Sequence, residues 1–345
     1  MKIGILTFHE GINHGAFFQA YATFSYLKEA GFDVEVINYK NKKHFFLEYK
    51  AFFWTKHPVN LYKNIAKIFL FKKAHKKFKL TNFSTNIGDI DTSKYDVIVV
   101  GSDIVWDYEW DFIGSDPVYF GHGLHAKKLV SYAPSIGKVD LSNVIPEFVQ
   151  EGLKKFDNIS VRDESTALLV KNILGEDPEM VVDPAFIYDI SGQEIDHDEK
   201  VDYMLVYAYH LRDKEIQSAI SYARRHNLKL ISIGYFNPWC DKNITNIGPF
   251  EWLGYFKNAK TVLTGTFHGT IFSIKYARNF VTCANLHIKP KLKTILGKIG
   301  LTSRMIENGD IAKVLNTEID YSLVNKKLIL LIGSSRKYLL KAIND

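Results

Sequence analysis

The sharpest chemical signal in the chain is the run Thr264-Gly265-Thr266-Phe267-His268-Gly269-Thr270. It falls where an apolar strand-like run gives way to a helical one, so His268 is expected at the carboxyl end of a sheet. A histidine there titrates near neutral pH and can donate a proton. The amides of Gly269 and Thr270 would head the helix and favour an anion. The same residues also suit a plain helix cap or a filled turn, and position alone leaves both readings open. Arg162, in Ser160-Val161-Arg162-Asp163-Glu164, stands at a second strand-to-helix junction. Its guanidinium could fork onto a carboxylate or phosphate. A surface arginine paired with Asp163 or Glu164 is the competing reading.

Three more turns have the composition of anion cradles. Asn13-His14-Gly15-Ala16 opens the first helix, Gly101-Ser102-Asp103 follows a strand, and Ala133-Pro134-Ser135-Ile136-Gly137 follows another. Their backbone amides could converge on an oxyanion. Asn13, Gly15, Ser102, Asp103, Ser135 and Gly137 therefore join Thr266, Gly269 and Thr270 as candidate substrate contacts, although an ordinary tight turn accounts for each. No Gly-x-Gly-x-x-Gly or Gly-Lys-Ser run argues for a dinucleotide or P-loop site. His122 and His125 lack partners at ligand spacing, so no metal is expected. No Gly-x-Ser-x-Gly elbow is present.

The elements that must hold these residues alternate. Ile3–Phe8 reads as a strand, Ala16–Ala30 as a helix closed by Gly31, and Val34–Tyr39 as a second strand. Strands follow at Val97–Gly101, Leu129–Ala133 and Asn158–Val161; β-branched runs such as Val97-Ile98-Val99-Val100 suit a parallel sheet buried on both faces. The acidic stretch Ser191–Lys200 reads as a linker, after which the alternation restarts at Tyr203–Tyr209. The expected fold class is α/β with two Rossmann-like domains. The first spans 1–190 with a basic, aromatic helical insertion at about 40–80. The second spans 200–320, and 321–345 is a last helix expected to pack back on the first domain.

Composition bounds the function. A chain of 345 residues, 46% hydrophobic and 24% charged, can bury two cores. Two cysteines, Cys240 and Cys283, make no disulfide framework and fit a reducing compartment. No signal peptide pattern and no run of 18 apolar residues is seen, so a cytoplasmic location is expected. The net charge of +6 is local: residues 40–80 carry twelve lysines and one acid, Glu48. Nucleic acid, an anionic membrane face, and solvated lysines on a packed insertion are three readings of that stretch. Nucleic acid ranks last and no nucleic-acid partner is expected; peripheral contact with the inner face of the cell membrane is kept as an expectation.

Seven segments together resemble the polysaccharide pyruvyl transferase family. They are Lys2–His9, Asn13–Ala22, Val100–Trp106, Ser131–Gly137, Ser160–Glu164, Val182-Asp183-Pro184 and Thr266–Thr270, in the family's order. Departures are Gly265 before the last motif, His14 and Pro134. The resemblance implies a GT-B-like arrangement with the active site in an interdomain cleft. It implies phosphoenolpyruvate as donor and co-substrate, with no cofactor, and a lipid-linked or nucleotide-linked sugar as acceptor. It maps a donor-binding role onto Arg162 and general acid catalysis onto His268, for transfer of a pyruvyl group to a cell-surface polysaccharide or its precursor. A nucleotide-sugar glycosyltransferase and a non-catalytic glycan-binding protein are the alternatives.

Overall fold

The structure is a computed structural model that describes residues 1–53, 58–112, 115–307 and 309–345. The chain forms two compact α/β units. The first comprises Met1–Lys56, His75–Asp189 and Ile329–Asp345; the second comprises His57–Ala74 and Ile190–Leu328.

The first unit opens with β1 (Lys2–Leu6), α1 (His14–Glu29) and β2 (Asp33–Val36). Asn13 caps α1, its side chain accepting from the amides of Gly15 at 2.9 Å and Ala16 at 3.4 Å. Helix α2 (Lys42–Phe53) belongs to this unit, whereas α3 (Pro58–His75) lies almost wholly in the second. The strands β3 (Val97–Val100) and β4 (Lys128–Ser131) complete a parallel sheet of order β2-β1-β3-β4. All four residues of β3 are buried, as a strand covered on both faces requires. Next come α4 (Glu147–Leu153), β5 (Ser160–Val161), α5 (Glu164–Leu174), β6 (Glu179–Met180) and α6 (Pro184–Ile187), with β5 and β6 paired in parallel.

The second unit runs β7 (Tyr203–Tyr207), α7 (Asp213–Arg225), β8 (Lys229–Ile233), β9 (Lys242–Ile244), α8 (Pro249–Asn258), β10 (Thr261–Thr264) and α9 (Phe267–Lys275). It continues through β11 (Asn279–Cys283), α10 (Lys289–Ile299), β12 (Met305–Ile306) and α11 (Ile311–Leu315). Its six strands are parallel in the order β12-β11-β10-β7-β8-β9. The last helix, α12 (Tyr321–Asn344), starts in this unit, where the Tyr321 hydroxyl donates to the Arg278 carbonyl. It ends in the first, where Arg336 forks onto the Ile187 carbonyl at 2.8 and 2.6 Å.

The basic stretch is therefore not one insertion. Residues 57–74 group with the second unit, where Leu70 approaches Gly248. Trp54 and Lys56, read with that stretch, lie outside the described residues. No helix among the described residues is long and apolar enough to cross a membrane.

Candidate functional site

In the first unit the site begins where β3 ends. Gly101 takes φ +107 and a Cβ there would meet the Tyr132 carbonyl oxygen at 2.5 Å, so only glycine lets the two strand ends come this close. Asp103 follows with φ +70, its carbonyl accepting from the Ser135 amide at 2.8 Å. Arg162, at the end of β5, reaches the same point from the side. Its Nη1 donates to Asp183 Oδ2 at 2.6 Å and to Ser102 Oγ at 3.1 Å, and its Nη2 to Asp103 Oδ1 at 3.4 Å. The guanidinium is buried, so it is not the surface arginine that its acidic neighbours suggest. Asp163 instead caps α5, accepting from the Thr166 amide at 2.9 Å.

The turns read as anion cradles use their amides internally. Gly15 donates to Asn13, Gly137 to Ser135 Oγ at 3.1 Å, and Ile136 to Thr166 Oγ1 at 3.0 Å. What the structure builds at Asn13 and Asp103 is a cavity of about 200 Å³ within the first unit. The β1–α1 loop supplies Phe8, His9, Glu10, Gly11 and Asn13 to its wall, and α2 supplies His44 and Glu48. Lys40, buried just before α2, is ion-paired with Glu48, whose other oxygen accepts from the Ile12 amide at 3.3 Å. This pair fixes α2 against the loop. His44 is 8% exposed, lies edge-on to Phe8 and Phe112, and has an Nδ1 without a hydrogen-bond partner in the protein. Burial, then the neighbouring Lys40 charge, pull its pKa down to about 4, so the ring is neutral at pH 7.

In the second unit, α9 starts at Phe267, ahead of the Gly269 and Thr270 expected to head it. Thr266 is the N-cap and accepts from the Gly269 amide at 2.9 Å, so His268 sits inside the first helical turn. Gly269 and Thr270 therefore spend their amides on Thr266 and do not point them at a ligand. A Cβ on Gly269 would meet Thr264 Oγ1 at 2.1 Å and Thr266 Oγ1 at 2.7 Å. Thr270 Oγ1 ties α9 to Thr282 of β11 at 2.7 Å. The Lys291 side chain is buried, with its ammonium 5.5 Å from the centre of the Phe267 ring. A second cavity, of about 550 Å³, opens at the carboxyl ends of β7 and β11 beside Gly265. Its wall includes His210, His287, Arg212 and Lys289, the last two paired with Glu215 and Glu307. Among the described residues no group of three or more His, Cys, Asp or Glu could hold a metal ion.

The sequence pattern of the polysaccharide pyruvyl transferases matches residues 13–287, most of the chain and both units. The chain belongs to that family. No curated protein matches the chain in sequence. Solved structures similar to it include the S. aureus MnaA–UDP complex, at 11% identity over 97% of this chain and 90% of that one, with a TM-score of 0.50. An alpha-glucosyltransferase in complex with UDP is similar at 9% identity over 99% and 95%, also with a TM-score of 0.50. At such identities the likeness shows the fold, which is the GT-B type expected from the sequence.

Sequence reasoning missed Lys40, His44 and Glu48 as residues of the cavity wall. A usable signal was present: Glu48 is the one acid among twelve lysines, and a solitary opposite charge in such a run tends to have a fixed partner. Glu10, Trp110 and Phe112, also on the wall, carried no comparable mark.

Proposed function

We propose that this pyruvyl transferase moves an enolpyruvyl group from phosphoenolpyruvate onto a sugar and closes it into a cyclic ketal. The observation that carries the reading is the position of His268, in the first turn of α9 at the carboxyl end of β10. An imidazolium there could hand its proton to the methylene carbon of the donor. The carbon bearing the phosphate becomes oxocarbenium-like, and a first sugar hydroxyl adds to it and gives up its proton. Loss of inorganic phosphate regenerates an oxocarbenium, and a second hydroxyl closes the ketal. Every atom comes from the two substrates, so the proposal needs phosphoenolpyruvate as co-substrate and no cofactor.

Arg162 enters as the donor-carboxylate ligand. Nη1 stays on Asp183, while Nη2, held by the longer 3.4 Å bond to Asp103, is the arm a carboxylate would take over. The acceptor is a sugar of a cell-surface polysaccharide or its precursor, lipid-linked or nucleotide-linked, and the enzyme would work in the cytoplasm at the inner membrane face. The test is incubation with phosphoenolpyruvate and a panel of such sugars, following free phosphate and sugar mass. Phosphate release with a gain of pyruvic acid less water supports the reading. Sugar release from a nucleotide donor, with phosphoenolpyruvate untouched, sinks it.

A further inference from the structure

The proposed transfer strips a proton from each sugar hydroxyl that adds to the donor carbon, and a base must receive it. A carboxylate or a neutral imidazole within reach of the hydroxyl can do so.

Most groups of that kind around the first-unit cavity are spent. Both His9 nitrogens are bonded, to the Thr7 carbonyl at 3.0 Å and to Asn38 at 3.1 Å, and the residue is 1% exposed. His44 Nδ1 is enclosed. Glu48 is paired with Lys40 and accepts from the Ile12 amide. Asp183 is enclosed, with Oδ1 on the Ala185 amide at 3.0 Å and Oδ2 on Arg162.

Asp103 differs. It lies on the cavity wall with its side chain 14% exposed. Oδ1 accepts from the Ile104 amide at 2.8 Å and from Arg162 Nη2 at 3.4 Å, whereas Oδ2 meets no donor among the described residues. The 3.4 Å contact is long for a charge-assisted bond, so it is the contact of Arg162 that yields first. A donor carboxylate that took Nη2 would part Asp103 from its cation and stand beside it as a like charge. Both changes favour uptake of a proton by a carboxylate.

We propose that Asp103 is the catalytic base of the transfer, held idle by Arg162 and released when the donor carboxylate takes over that arm. The inference rests on the proposed donor role of Arg162. The first hydroxyl oxygen bonds the carbon that carries the phosphate, its O–H bond breaks, and the proton passes to Oδ2. The partly exposed carboxylate gives that proton to water. The second hydroxyl, which closes the ketal after phosphate has left, loses its proton by the same route. Of the two protons, one replaces the proton that His268 gives to the methylene carbon, and the other leaves with the phosphate. No hydroxyl is activated before the donor is in place.

The test uses full-length protein, phosphoenolpyruvate, and the sugar panel of the phosphate-release assay. Asp103→Asn keeps the shape and removes the charge. Two effects of opposite sign are expected. Phosphoenolpyruvate should bind at least threefold more tightly, because Arg162 loses a competing anion, and turnover should fall at least 100-fold. A residue that only supports the fold would weaken both. Asp103→Gly suits the φ +70 backbone and removes the carboxylate. Added formate should raise its turnover at least tenfold. Turnover of Asp103→Asn within a few-fold of wild type, donor binding no tighter in that folded variant, or Asp103→Gly unmoved by formate overturns the base. The two proposals fail distinguishably. Transfer by wild type with an equally active Asp103→Asn defeats the base alone. No phosphate released by wild type with any sugar defeats the transfer reading, and the base falls with it.

Discussion

Arg162 and Asp183 form a buried ion pair in the first unit, Nη1 donating to Oδ2 over 2.6 Å with both side chains almost fully enclosed. An isolated carboxylate in that place would be costly, so the two residues stand or fall together. Truncating Arg162 to alanine should destabilise the protein by roughly 3–5 kcal/mol, because Asp183 is left charged and enclosed. Arg162→Lys keeps the charge and loses the fork. It should fold, raise the KM for phosphoenolpyruvate several-fold, and leave the acceptor KM near wild type. Unchanged donor kinetics in that variant would remove Arg162 from donor binding.

His268→Ala should lower turnover at least 100-fold, the loss expected for a general acid. Thermal unfolding should stay close to wild type, since Thr266 and not His268 caps α9. Phosphate release within a few-fold of wild type would take His268 out of the chemistry.

Gly269→Ala tests the packing that places His268. The new Cβ would collide with the hydroxyls of Thr264 and Thr266, at 2.1 and 2.7 Å. Overpacking of this kind costs about 1–3 kcal/mol. The melting temperature should drop, and activity should fall further than stability accounts for. A variant with wild-type melting and turnover would show that the first turn of α9 tolerates displacement.

Much of this arrangement was legible in the sequence. The β-branched run at 97–100 and the apolar run at 203–207 announce buried parallel strands, and both are wholly buried in their sheets. The junctions at Arg162 and His268 fall where strand periodicity gives way to helix. What stayed hidden depends on distant partners. Arg162 has acids at the next two positions, yet the structure gives it Asp183, 21 residues on. The amides of Gly15, Gly137 and Gly269 look available in a list of residues, yet each is met by a nearby Asn, Ser or Thr side chain. The lysine-rich stretch reads as one segment, but 57–74 groups with the second unit, where Leu70 meets Gly248, a partner far along the chain.

Stability should fall in mild acid. His44 has a pKa near 4 in the folded protein against about 6.5 in an unfolded chain, and burial lowers His9 in the same direction. The unfolded chain therefore takes up these protons first as pH drops below about 6.5, and stability declines down to about pH 4. The His44 share is on the order of 3 kcal/mol. Urea unfolding at pH 7 and pH 4.5 should show a smaller decline for His44→Phe than for wild type. Equal declines would show that His44 is not held neutral.

The basic stretch gives a separate expectation for membranes. On α2 the residues Lys43, Phe46, Lys50 and Phe53 are exposed at helical spacing, and on α3 so are Tyr62 and Phe69. Lysines near an anionic surface contribute roughly 1 kcal/mol each, screened over about 8 Å at physiological salt. The protein should cosediment with anionic liposomes, less so as salt rises, and not with neutral ones. Replacing the exposed Lys72, Lys73, Lys76 and Lys77 by Glu should weaken the binding. Equal sedimentation on both vesicle types would leave these helices a purely structural role.

The most direct test of the central claim is to run the reaction in D₂O with phosphoenolpyruvate and a sugar acceptor. Proton transfer to the methylene carbon predicts a ketal whose methyl group carries a solvent-derived deuteron, formed in step with inorganic phosphate and lost in His268→Ala. A sugar product with no pyruvyl group, or phosphate released with the donor methylene unlabelled, would contradict it.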